Sequence, residues 1–235
     1  MHTMKRQGRA ALFDVDGTLA DTNHLHVVTW WEAFRQAGHD VTMHDIHHAV
    51  GLGSDDLIAH LLGEDRDKDQ DEQLSAAHTA LYGTYFARLP ALPGASALLH
   101  TLHDRGWRIV LATSAGGPEL TALRRAIDAD DVIAGIASAD DVEAGKPAPD
   151  PVHQALEIAE VEPQNAVFVG DTVWDMQAGA RAGVHTVALL SGGIPRADLE
   201  EAGAAAVYDH PADLLRQLDD SVVARMEKST EARTE

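Results

Sequence analysis

Two aspartates one residue apart, Asp14 and Asp16, stand at the head of the string Asp14-Val15-Asp16-Gly17-Thr18. The apolar run before them, Ala10-Ala11-Leu12-Phe13, reads as a short buried strand. Alternation along a strand sends side chains two apart to the same face, so both carboxylates aim at one point. Like charges so placed repel each other, and a divalent cation relieves the repulsion. Mg²⁺ suits the role, because it takes hard oxygen ligands and often shares its shell with a phosphate. Gly17 lets the chain turn sharply, and Thr18 offers a hydroxyl and a backbone N–H just beyond. Asp-Gly alone is a common turn signal. The whole string directly after an apolar strand is much rarer.

Three later segments carry related chemistry. Thr113-Ser114 follows the apolar run Ile109-Val110-Leu111-Ala112, where a hydroxyl and nearby N–H groups can hold a phosphate oxygen. Alone, that pair is more often a turn or a cap. Lys146 sits in Gly145-Lys146-Pro147-Ala148-Pro149-Asp150. An isolated lysine is ordinarily a solvated surface residue, but here its point charge can balance carboxylates and a phosphoryl group. Asp171 and Asp175 belong to Gly170-Asp171-Thr172-Val173-Trp174-Asp175, after the strand-like Val167-Phe168-Val169. A helix N-cap would explain Asp171 alone, and a helix-dipole partner Asp175 alone. Together with the other segments, they read as part of one metal and phosphate site.

Parallel strands are predicted at 10–13, 108–112, 132–137, 166–169, 184–189 and 205–207, mostly separated by stretches of helical length and spacing. That alternation predicts an α/β protein, a Rossmann-like open parallel sheet with right-handed crossovers. All four segments lie at carboxyl ends of strands, where such sheets bind ligands. Residues 22–89 break the rhythm. They hold helical segments at 23–36, 43–49, 55–62 and 72–88, and a charged loop at 63–69. The expected organisation is a core of residues 1–21 and 90–235 with an all-helical domain, 22–89, inserted after the first strand. The polar tail from Ser221 to Glu235 is expected to fray.

Bulk composition narrows the function. Hydrophobic residues make up 45% of the 235, enough for a core, and there is no cysteine, which excludes disulfides and thiol catalysis. The formal net charge of −20 argues against nucleic acid or anionic membranes as partners. An anionic substrate then needs local positive charge. No apolar run approaches a membrane span or a signal peptide, so a cytoplasmic protein is expected, as a monomer or weak homodimer.

In their order, the four segments resemble motifs one to four of the haloacid dehalogenase-like superfamily. The inserted helices resemble the cap of the subgroup that holds phosphoglycolate phosphatases and β-phosphoglucomutases. The resemblance implies phosphoryl transfer through an aspartyl-phosphate, with Mg²⁺. Asp14 then matches the nucleophile and Asp16 the general acid/base, whose backbone carbonyl also reaches the metal. Asp171 matches a further metal ligand, and Asp175 an acidic residue that orients metal-bound water or the metal. Thr113 and Lys146 match phosphate-binding residues, with Ser114, Gly17 and Thr18 beside them.

At the start of the cap, His26 resembles a residue that bonds substrate or the general acid, although a plain core–cap contact is an equal reading. Asp21, or failing that Thr22, is expected to cap the first cap helix. Gly51-Leu52-Gly53-Ser54-Asp55 resembles the cap's specificity loop, and Gly53 allows close approach to the cleft. His44, His47 and His48 are expected on a solvated face, Gly192-Gly193 in a plain loop, and Trp30-Trp31 in core and interface.

The expected activity is hydrolysis of a small phosphorylated metabolite, a sugar phosphate or a phosphoglycolate-like compound. The alternative is a sugar phosphomutase, disfavoured because the cap offers only Arg35, Arg66, Lys68 and Arg88 as cations and its loop carries Asp55 and Asp56. A non-enzyme alternative is a phospho-accepting receiver-like module. It lacks a counterpart of Asp16 and of residues 22–89.

Overall fold

The computed structural model describes residues 8–138 and 144–231. Residues 1–7, where a signal peptide would begin, and residues 232–235 of the tail lie outside them. Six parallel strands form one sheet in the order β3-β2-β1-β4-β5-β6, with β1 at Arg9–Phe13, β2 at Trp107–Ala112, β3 at Ile133–Ala137, β4 at Ala166–Gly170, β5 at His185–Leu189 and β6 at Ala206–Tyr208. The strand order reverses at β1, which pairs with β2 on one side and β4 on the other. That reversal opens a crevice at the carboxyl ends of these three strands.

The strands read as unbroken apolar runs because both faces of the sheet are covered. Ala11, Phe13, Ile109, Leu111, Val167 and Val169 pack into one cluster, and Ala10, Leu12, Val110, Ala112, Ala166 and Phe168 into the other. Before β2 lie helices α1 (Asn23–Gln36), α2 (Met43–Ala49), α3 (Ser54–Leu62), α4 (Asp71–Gly83) and α5 (Ala95–Asp104). After β2 come α6 (Gly117–Ile127), α7 (Asp150–Ala159), α8 (Val173–Ala182), α9 (Arg196–Glu201), α10 (Pro211–Arg216) and α11 (Val222–Glu231). Apolar residues of α5, α6, α10 and α11 join the first cluster, and those of α7 and α8 the second.

Helices α1 to α4, all between β1 and β2, close around an apolar cluster of their own that includes Trp30, Phe34, Ile46, Ile58 and Leu74. The helix expected to run on to Arg88 ends at Gly83 and resumes as a short 3₁₀ turn at Phe86–Arg88. The Thr84 hydroxyl donates to Leu81 O at 2.7 Å, taking up a terminal carbonyl where glycine already weakens the helix. The expected fraying of the tail is corrected for residues 221–227. Ser221, Val222, Val223 and Met226 are buried, and Trp107 Nε1 donates to Glu227 at 2.8 Å. The helical spacing of Val222, Val223 and Met226 makes an apolar stripe that the polar composition concealed. No helix among the described residues is long and apolar enough to cross a membrane.

Candidate active site

Asp14 extends the sheet by one bond, its N–H donating to Val169 O at 2.9 Å, so its side chain leaves the sheet at the β1–β4 crevice. It is buried there against Lys146, whose ammonium donates to Asp14 Oδ1 and lies 2.7 Å from Asp175 Oδ1. Lys146 is itself only 2% exposed. Burial alone would lower the lysine's pKa, but Asp14 and Asp175 more than offset it and hold the ammonium firmly charged. Burial pushes the Asp14 carboxyl up to about 7, with Lys146 pulling it back.

The second Asp, Asp16, faces the inserted helices. Thr22 Oγ1 donates to Asp16 Oδ1 at 2.5 Å, and His26 Nε2 lies 3.2 Å from the same oxygen. Burial raises the Asp16 pKa, but His26 and the Thr22 hydroxyl outweigh it, so the net shift is downward. Burial lowers the pKa of His26, while Asp16 and then Glu119 outweigh it, so that imidazole moves up. Its other nitrogen, Nδ1, lies 3.2 Å from His78 Nε2. Burial and the His26 charge push His78 down to about 2, leaving it a neutral acceptor. His78 stacks on Trp30 with centroids 4.1 Å apart, and His26 on Tyr82 at 4.0 Å. The capping role expected of Asp21 or Thr22 is not observed: Thr22 occupies the N-cap without a side-chain cap bond, because its hydroxyl is spent on Asp16.

Asp171 lies fully buried at the end of β4. Thr18 Oγ1 donates to its Oδ1 and Asn23 Nδ2 to its Oδ2, both at 2.8 Å. Gly17 has a φ of +74°, and a Cβ built on it would fall 2.3 Å from Asp171 Oδ2. A Cβ on Gly192 would fall 1.7 Å from the same oxygen, so the Gly192-Gly193 loop is packed onto the site. Thr172, not Asp171, caps α8. Its hydroxyl accepts from Asp175 N at 3.2 Å while its backbone N–H donates to Asp175 Oδ2 at 3.1 Å, closing a capping box that fixes Asp175 in the first turn, and the hydroxyl also donates to that oxygen at 2.6 Å.

The donor set fits a hard divalent cation. Asp14, Asp171 and Asp175 are all buried and each offers an oxygen within 4.8 Å of the others. Burial, then Asp14 and Asp175, drive the Asp171 pKa well up, as expected of carboxylates crowded with too little positive charge. Asn23 Oδ1, beside Asp171, is buried without a hydrogen-bond partner and supplies one more spare oxygen.

Two adjoining cavities open from this cluster. One, of about 60 Å³, is lined by Asp14, Asp16, His26, Gly53, Ser114 and Glu119 among others. The other carries Thr113, Ser114 and Lys146 opposite Gly53, Asp55 and Asp56. Thr113 Oγ1 accepts from Ala115 N at 3.1 Å, which leaves the hydroxyl proton free to donate. Asp14, Asp16, Thr113, Ser114, His26, Gly53 and Lys146 therefore meet at the cavities, whereas Thr18 is turned to Asp171 and Gly17 lies beneath it.

Sequence reasoning missed Asn23, His78, Glu119 and Gly192. Gly192-Gly193 carried a usable signal, since it follows β5 at the carboxyl edge. His78 carried none, because only packing brings α4 to α1. The solvated face expected of His47 is also corrected. His47 Nε2 donates to Gly192 O at 2.7 Å, and Trp174 Nε1 donates to His48 O at 3.0 Å, so α2 rests on the core.

Residues 9–183 match the haloacid dehalogenase-like hydrolases. The chain is 31% identical over 217 residues to a phosphoglycolate phosphatase of Rhodospirillum rubrum, covering 88% of this chain and 89% of that one. It is also 31% identical over 195 residues to a validoxylamine A 7'-phosphate phosphatase of Streptomyces hygroscopicus, covering 78% and 86%. A solved hydrolase from Pseudomonas syringae superposes with a TM-score of 0.86 at 36% identity, covering 90% of this chain and 98% of that one. With its parallel sheet, its helices inserted after β1 and its carboxylates gathered at the strand-order reversal, the chain belongs to the haloacid dehalogenase-like hydrolases.

Proposed function

We propose that this enzyme is a Mg²⁺-dependent phosphatase of small phosphate monoesters that works through an aspartyl-phosphate on Asp14. The observation that carries this reading is the pairing of two differently held carboxylates at one cavity, Asp14 on Lys146 and Asp16 on His26. Asp14 presents an oxygen to phosphorus as the nucleophile. Asp16 delivers a proton to the departing oxygen, from the proton that it and His26 hold between them across 3.2 Å. Asp16 then takes a proton from the water that cleaves the acyl phosphate. Lys146 and Thr113 bind phosphoryl oxygens from the second cavity. The Asp14 and Asp171 carboxylates, with Asp175 and the Asp16 carbonyl, would hold Mg²⁺, which neutralises phosphoryl charge and orients the group for in-line attack.

The cavity walls from α1, α3 and α4 exclude bulk water from the phosphoryl group. The reading is tested by phosphate release from a panel of phosphate monoesters with Mg²⁺, followed by the stereochemical course at phosphorus with an isotopically chiral phosphate monoester. Retention is the expected result, because attack by Asp14 and then by water on the phosphorus of the aspartyl-phosphate makes two in-line displacements. Inversion would show direct attack by water.

A further inference from the structure

The cavity beside Asp16 is where the leaving group of a bound ester must lie, and its charge is unusual for an enzyme that acts on anions. Among the described residues that line it there is no lysine and no arginine. Its basic side chains are His26 and the neutral His78. The imidazole of His26 is shared, with Asp16 Oδ1 at 3.2 Å and Glu119 Oε1 at 3.6 Å from the same Nε2. One imidazolium therefore faces two carboxylates, and burial pushes the Glu119 carboxyl up to about 7 with His26 pulling it back, so Glu119 is the group in the cavity that lacks a full counter-charge and that a second cation would satisfy. Asp55 and Asp56 add more on the rim of the adjoining cavity, where Lys146 is already engaged by Asp14 and Asp175.

Glu119 lies in the first turn of α6, where an acidic residue ordinarily does no more than complement the helix dipole. A dipole partner can do that from solvent. The side chain of Glu119 instead turns into the cavity, is 23% exposed, and ends beside His26.

We propose that Glu119 is a specificity-determining residue that selects phosphate monoesters whose leaving group carries a protonated amine. This rests on the phosphatase reading above. A carboxylate in a partly desolvated cavity attracts an ammonium group strongly, and repels a carboxylate or a second phosphate as strongly. Neutral hydroxylated leaving groups fall between. The same charge that excludes bisphosphates thus has a positive use, the recognition of an amino sugar or amino alcohol phosphate.

Three two-carbon esters separate charge from size: 2-aminoethyl phosphate, 2-hydroxyethyl phosphate and phosphoglycolate. With Mg²⁺ present, kcat/KM is expected to fall in that order, by roughly tenfold or more from first to last. Glu119→Gln should collapse the amine-to-hydroxyl ratio toward one, and Glu119→Lys should move the preference toward phosphoglycolate. Ratios measured within one preparation do not depend on its folded fraction. A wild-type enzyme that prefers phosphoglycolate, or an E119Q variant with an unchanged ratio, overturns the assignment. p-Nitrophenyl phosphate distinguishes the two levels. Its hydrolysis without discrimination among the three esters sinks only the role of Glu119, whereas no hydrolysis of any of the four sinks the phosphatase reading with it.

Discussion

Asn23 donates its side-chain N–H to Asp171 Oδ2 at 2.8 Å, which ties the first residue of α1 to the carboxylate at the end of β4. The inserted helices are thereby joined directly to the buried carboxylate cluster of Asp14, Asp171 and Asp175. Asn23→Ala removes a bond that orients a ligand, and such supporting bonds are worth roughly 10–100-fold in metal affinity. The expected outcome is a Mg²⁺ dissociation constant raised by about that factor, read by titration calorimetry. Unchanged affinity would show that Thr18, which holds the other Asp171 oxygen, suffices.

Crowded carboxylates destabilise the metal-free protein, so Mg²⁺ should raise its melting temperature. At a hundredfold excess over the dissociation constant, the linkage contributes about 2.7 kcal/mol, or several degrees for a chain of this length. Asp171→Asn should abolish the shift. EDTA should remove phosphatase activity, and Ca²⁺ should inhibit, because its larger and looser shell spoils in-line geometry. Activity that survives exhaustive chelation would contradict the metal requirement.

The two carboxylates beside the first cavity should fail in different ways. Asp14→Asn should end turnover and any covalent phosphoenzyme. Asp16→Asn should slow hydrolysis by roughly 10²–10⁴-fold, the usual span for a lost acid/base. If protonation of the leaving oxygen is the cause, the deficit should shrink for aryl phosphates, which leave without help. Equal deficits for alkyl and aryl esters, measured in parallel, would assign Asp16 a different role.

Asp213, far along the chain, provides a pH test of stability. Its Oδ2 accepts from Asp209 N at 3.0 Å and its Oδ1 from Gln217 Nε2 at 2.9 Å, and the first of these leads in lowering its pKa. A depressed folded pKa gives stability that is present above the unfolded value of roughly 3.9 and is lost as pH falls through the folded value. Asp213→Asn should therefore cost roughly 1 kcal/mol at neutral pH, with the two urea midpoints converging in acid. A deficit that stays constant down to low pH would point to packing instead of charge.

The family, the parallel sheet and the principal acidic residues were legible in the sequence because each rests on a short-range signal. Apolar runs of strand length bounded by Asp14, Thr113 and Asp171 disclose three carboxyl ends, and the observed strand order, which alternation alone does not fix, places β1 between β2 and β4 and so gathers them at the reversal. Helices α1 and α2 were legible to the residue, since spacing and flanking turns are local. The tail misled because its polar composition outweighed a stripe of Val222, Val223 and Met226 that only a partner surface makes meaningful. The pairing of His26 with His78, the tie from Asn23 to Asp171, the seat of Gly192 against that carboxylate, and the inward turn of Glu119 all join residues far apart in the chain. No local pattern encodes such contacts. They exist because the fold brings α1, with α4 packed on it, the first turn of α6 and the loop after β5 to the same carboxyl ends of the strands, and burial there sets how the charges are shared.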